Sequence, residues 1–136
     1  MDTWGRLTLF DDDEKDHERA ARYYRRLREQ NGSVFTTDHV LDGTIALAFQ
    51  RLPFRHALQC YLNLNRAQDT GFLDVQWIGP DRFGRAVELR RTYDDKPDIS
   101  FTDLTSMVVM EEFELQDVLT GDAHFAHVGL GFRRQP

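Results

Sequence analysis

One cysteine, four prolines, nine scattered glycines and no long apolar run: the 136-residue chain is defined first by what it holds little of. A lone Cys60 excludes an internal disulfide framework and suits a reducing compartment. It falls in an apolar helical pattern, which reads as a small core residue. Too few prolines and glycines are present for a linker, and no segment repeats, which excludes a solenoid. No apolar stretch nears the ~20 residues needed to span a bilayer. The opening "MDTWGRLTLFDDDEKDHE" turns acidic where a signal peptide would continue apolar, so a cytoplasmic location is expected.

What is present suits one globular domain over 1–136. The chain is 40% hydrophobic and 29% charged, a balance that supports a core rather than disorder. Its net charge of −6 gives no global attraction to nucleic acid. An acidic balance still suits a carboxylate site, because a bound cation reverses the local sign.

Helical and strand periods alternate along the chain. "EKDHERAARYYRRLREQNG" predicts a helix over 14–30, with Ala20, Tyr23, Tyr24 and Leu27 on one stripe and Asn31-Gly32 as its stop. "SVFTT" (33–37) predicts a buried strand. "DHVLDGTIALAFQR" predicts a helix capped by Thr37 or Asp38 and ended by Pro53. "RHALQCYLNLNRAQ" is a further helix, and "FLDVQWI" (72–78) a strand. "PDRFGRAVELRRTYDD" predicts a helix with Phe83, Ala86 and Val87 on one face. Another helix follows Phe101, then a strand at 117–120 and a short helix at 123–128. Alternation of this kind predicts an α/β sheet, mainly parallel, with helices on both faces. Ligands in such sheets collect beyond the carboxyl ends of the strands.

Two aspartates stand where that edge meets helices. "SFTD" matches a capping box, with Ser100 as N-cap and Asp103 at the third helical position. Asp122 has the same ordinary explanation as a cap. The pair asks for more, because Asp103 precedes "LTSMVVM", a helix apolar enough to be buried on most sides. Carboxylates that share a cleft repel unless a cation joins them. Mg²⁺ and Mn²⁺ take oxygen ligands and keep waters, which suits hydrolysis of a phosphodiester.

The stretches "MDTWG", "TTDHVLDGTIAL", "DKPDISFTDLTSMVVM" and "LTGDAHFAHVG" resemble, in order and spacing, the successive motifs of PIN domains. The branch they resemble holds the toxin-type ribonucleases of toxin–antitoxin pairs. This resemblance implies a three-layer α/β/α fold with a mainly parallel, five-stranded central sheet. It further implies endonuclease activity on RNA with Mg²⁺ or Mn²⁺, an antitoxin partner and a homodimer. The family's acids fall on Asp2, Asp103 and Asp122, which would be the catalytic and metal-holding residues. Thr3, Thr102 and Ser100 would be supporting hydroxyls, and Asp98 is an additional acid upstream.

Two departures from the family pattern stand out. "VLDGTI" puts Gly43 where the family carries a glutamate. Asp42 is adjacent, yet one residue turns a helix by about 100°, and Asp38 lies a further turn back; both are imperfect substitute acids. The family's first acid also ends a central strand, whereas only Met1 precedes Asp2, so the first strand reads as truncated. A translation start upstream of Met1 is the expected explanation. A catalytically impaired PIN-like protein that acts by binding RNA or antitoxin is the alternative. A Rossmann-like cofactor site is disfavoured because no GxGxxG follows a strand.

Other features have plain explanations. "DDDEKDHE" (11–18) reads as a solvated loop, and Arg19, Arg22, Arg25, Arg26 and Arg28 as a solvated helix face. His124 and His127 read as structural or outer-shell residues. Trp4 and Trp77 read as core or interface aromatics.

Overall fold

A computed structural model describes residues 17–30, 32–119 and 133–135. The described elements are α1 (His17–Glu29), β1 (Val34–Thr37), α2 (Asp38–Arg51), α3 (Phe54–Asp69), β2 (Leu73–Gln76), α4 (Pro80–Thr92), α5 (Phe101–Glu112), β3 (Asp117–Leu119) and β4 (Arg133–Gln135). β1 pairs with β2 in parallel, Val34 opposite Leu73 and Thr37 opposite Gln76. β3 pairs with β4, also in parallel, with Asp117 opposite Arg133.

Strand alternation sorts the helices into layers, since successive side chains point to opposite faces. Val34, Leu73 and Val75 project to one face, where they pack with Leu64 and Ala67 of α3, Leu41 and Ile45 of α2, and Tyr23 and Leu27 of α1. Phe35 points the other way and meets the Phe113 ring, just after α5, at 5.0 Å. Gln76 faces the same way and accepts from Arg82 of α4. The result is helices on both faces of a parallel sheet, as expected from the sequence.

A second core joins α4 to α5. Ala86, Ile99, Leu104, Met107, Val108 and Met110 are buried together, with Leu89 and Tyr93 packed against them. The burial of α5 is the physical counterpart of its apolar sequence. Cys60 is buried in α3, as its pattern predicted.

Several boundaries have local causes. Thr37 caps α2, its Oγ1 accepting from the Val40 N–H at 3.1 Å, and Pro53 follows the end of that helix. α3 closes through Gly71, whose φ of 82° falls in the left-handed region that glycine occupies without a Cβ penalty. The strand expected over 72–78 stops at Gln76. The Ile78 N–H donates to Asp38 and the Trp77 carbonyl accepts from Arg82, so neither extends the ladder. α4 ends at Thr92 rather than Asp95. Arg90 donates to the carbonyls of Lys96 and Ile99 and folds the next turn back.

Trp77 is 68% exposed, which excludes the core half of its core-or-interface reading. Phe54, Leu58, Tyr61 and Leu62 are also exposed and form a stripe along α3 at helical spacing. Among the described residues, no helix is long and apolar enough to cross a membrane.

Candidate functional site

Asp103 occupies the third position of α5, reached through a Ser100 cap whose Oγ accepts the Asp103 N–H at 3.0 Å. The side chain is half-buried. A negative charge there is favoured by the macrodipole of the helix it opens. Thr102 is half-buried in the same turn, and its carbonyl accepts from Thr105 Oγ1 at 2.6 Å. Asp98 is exposed two residues before the cap. "SFTD" thus folds as its sequence predicts.

Asp38 opens α2 directly after β1. Its Oδ1 accepts the Ile78 N–H at 2.8 Å, which ties the carboxyl end of β2 to that of β1. Asp38 therefore has a positioning task in the fold, and sequence spacing gave no sign of it. Asp42 is exposed in the next turn of the same helix, and Gly43 is half-buried. The helix runs unbroken from Asp38 to Arg51, so no local unwinding turns Asp42 toward the position of Gly43. Thr44 follows, 2% exposed, and its Oγ1 has no hydrogen-bond partner. A buried hydroxyl of that kind costs about 1–3 kcal/mol.

Asp2, Thr3 and Asp122 lie outside the described residues, as do Trp4, His124, His127 and the short helix expected at 123–128. Among the described residues no group of three or more His, Cys, Asp or Glu side chains gathers that could hold a metal ion. Asp38, Asp42 and Asp103 do not form one.

Beside the β1–β2 edge lies an arginine cluster that sequence reading missed. Arg82 Nε and Nη2 donate to the two Glu112 carboxylate oxygens at 3.0 and 2.7 Å. Its Nη1 donates to the Trp77 carbonyl at 3.0 Å and its Nη2 to Gln76 Oε1 at 3.1 Å. Arg85 adds a 3.3 Å contact to Glu112. The hydrogen bond from Arg82 holds the Glu112 carboxyl below the ordinary glutamate range, and both guanidinium charges add to it. Its partner's guanidinium is raised by the same bond. Next to Arg82, Phe83 sets its ring 4.9 Å from Phe101, two residues before Asp103. Glu112 lies 30 residues from Arg82 and 27 from Arg85, separations that leave no periodic signal in the sequence.

No protein-family model matches the sequence, and no curated protein matches it significantly. Solved structures do. VapC20 of Mycobacterium tuberculosis, described as a sarcin–ricin loop cleaving toxin, superposes with a TM-score of 0.76 at 25% identity. The alignment covers 99% of this chain and 97% of that one. This is the PIN-domain fold. The toxin-type branch that the motifs resemble is also the branch of this structural neighbour. Asp103 is the one described residue among the three acids that the resemblance marks.

Proposed function

We propose that the chain is the ribonuclease toxin of a toxin–antitoxin pair, acting in the cytoplasm on RNA with a carboxylate-bound Mg²⁺ or Mn²⁺. End-to-end likeness to an RNA-cleaving toxin carries this reading. The donor chemistry fits the ion: Asp2, Asp103 and Asp122 offer the hard carboxylate oxygens that either cation takes. Bound there, a divalent cation supplies charge neutralisation and an acidified water beside the scissile phosphate. Asp103 would contribute a carboxylate whose backbone the Ser100 cap holds and whose charge the α5 N-terminus favours. Ser100 and Thr102 contribute hydroxyls in the same turn, and Thr3 is the hydroxyl beside Asp2.

The test is cleavage of an RNA containing a sarcin–ricin loop by the purified chain, with Mg²⁺, Mn²⁺ or EDTA. Metal-dependent cleavage supports the reading, and its absence from folded protein counts against it.

A second reading follows from Gly43 and the exposed Asp42: a weakened site in a protein that acts by binding RNA or antitoxin. Gly43→Glu separates the two. A large gain in cleavage would mark the natural site as crippled, whereas unchanged cleavage would show that the other acids suffice.

The proposed protein partner is an antitoxin. The exposed apolar stripe of α3 is bordered by exposed Arg55 and Arg66, and that rim suits an acidic amphipathic segment. A homodimer is the assembly that the family resemblance implies, and sedimentation of the purified chain measures it.

A further inference from the structure

Trp77 exposes its indole, yet the backbone that carries it is held on both sides. Its carbonyl accepts from Arg82 Nη1 at 3.0 Å and from the Gly79 N–H at 3.2 Å. The next amide, of Ile78, donates to Asp38 Oδ1 at 2.8 Å. Arg82 is itself held by both Glu112 oxygens. Four residues from three helices and one strand, Asp38, Gln76, Arg82 and Glu112, thus hold the loop while the ring stays in water. A large aromatic side chain loses hydrophobic stabilisation when left so exposed. Its place is the carboxyl end of β2, the edge where parallel sheets take ligands.

We propose that Trp77 is a stacking platform for a nucleobase of single-stranded RNA, pre-positioned by Asp38 and Arg82 at the carboxyl end of β2. This inference rests on the ribonuclease reading and deepens it. A base fits better than a phosphate, because Arg82 spends its Nε, Nη1 and Nη2 on Glu112, Trp77 and Gln76. It also fits better than a broad apolar protein contact: Gly79 and Asp81 are exposed without apolar bulk, Pro80 is small, Ile78 is half-buried, and Phe83, 48% exposed, sets one side of its ring against Phe101. Base–aromatic stacking is tolerant of sequence, since every base has a π-face. Trp77 would therefore set affinity and the position of the strand rather than the cleavage chemistry. It is a binding residue, with Asp38 and Arg82 as its positioning residues.

The chain has two tryptophans, so Trp4→Phe leaves Trp77 as the sole indole reporter. A single-stranded oligoribonucleotide is titrated into that variant in EDTA, and indole emission is followed. Saturable quenching is expected. In the otherwise natural chain, Trp77→Ala should weaken oligonucleotide binding roughly 5- to 150-fold, and Trp77→Phe should retain most of the affinity. Where cleavage is measured, the loss should appear in KM with kcat little changed. Binding by Trp77→Ala equal to that of the natural chain overturns the proposal, and cleavage by that same variant would leave the ribonuclease reading intact. Quenching without cleavage would support Trp77 stacking while the ribonuclease reading fails. Emission that responds to a protein partner but not to RNA overturns the proposal in favour of a protein contact.

Discussion

Asp38 and Ile78 lie 40 residues apart and meet through one hydrogen bond, the Ile78 N–H donating to Asp38 Oδ1 at 2.8 Å. That bond joins the carboxyl ends of β1 and β2 and places a carboxylate at the N-terminus of α2. Asp38→Ala removes both effects and should cost about 1–2 kcal/mol in denaturant unfolding. Asp38→Asn, whose carbonyl can still accept, should cost less. Stabilisation by added Mg²⁺ should survive Asp38→Asn, because this carboxylate holds the fold rather than the ion. Loss of the metal effect in that variant would instead make Asp38 a ligand.

Glu112 makes a pH-dependent contribution. Its folded carboxyl is held below the ordinary range, chiefly by the hydrogen bond from Arg82. Stability from a depressed acid is present above the unfolded value and is lost as pH falls through the folded one. The natural chain should therefore melt above Glu112→Gln at pH 7. The two should converge well below the ordinary glutamate value of about 4.3. A difference in melting temperature that stays constant from pH 7 to pH 3 would contradict this.

α5 ends in a turn that asks for glycine and holds glutamate. Leu115 N–H donates to the Met110 carbonyl at 2.8 Å and Glu114 N–H to Glu111 at 3.2 Å, the paired bonds of a Schellman motif. Glu114 has φ 55°, a left-handed conformation that costs roughly 1–2 kcal/mol for a residue with a Cβ. Glu114→Gly should raise stability by about 1 kcal/mol, a little less than that cost because glycine also loosens the unfolded chain. An unchanged or lower denaturant midpoint would contradict the account.

Local chemistry made much of the fold readable in advance. A cap at Thr37 or Asp38 and the stop at Pro53 predict α2 over the residues it occupies, and the Ser100–Asp103 cap forms as "SFTD" predicts. Alternation predicts β2 to run to Ile78, two residues beyond its end at Gln76, because long-range bonds from Asp38 and Arg82 claim the backbone of Trp77 and Ile78. Periodicity carries no information on such partners. Nor can it choose between core and interface for Trp77, whose exposure excludes only the core. The candidate site was readable only as acids in family order. Of these, the structure describes Asp103 and its cap, and the grouping with Asp2 and Asp122 stands as a proposal.

The most direct measurement is RNA cleavage by the purified 136-residue chain with Mg²⁺ or Mn²⁺, beside Asp103→Asn and an EDTA control. Each protein would first be shown to be folded by circular dichroism. The account predicts cleavage by the natural chain that EDTA abolishes and that Asp103→Asn lacks. Undiminished cleavage by folded Asp103→Asn, or cleavage that persists in EDTA, would contradict it.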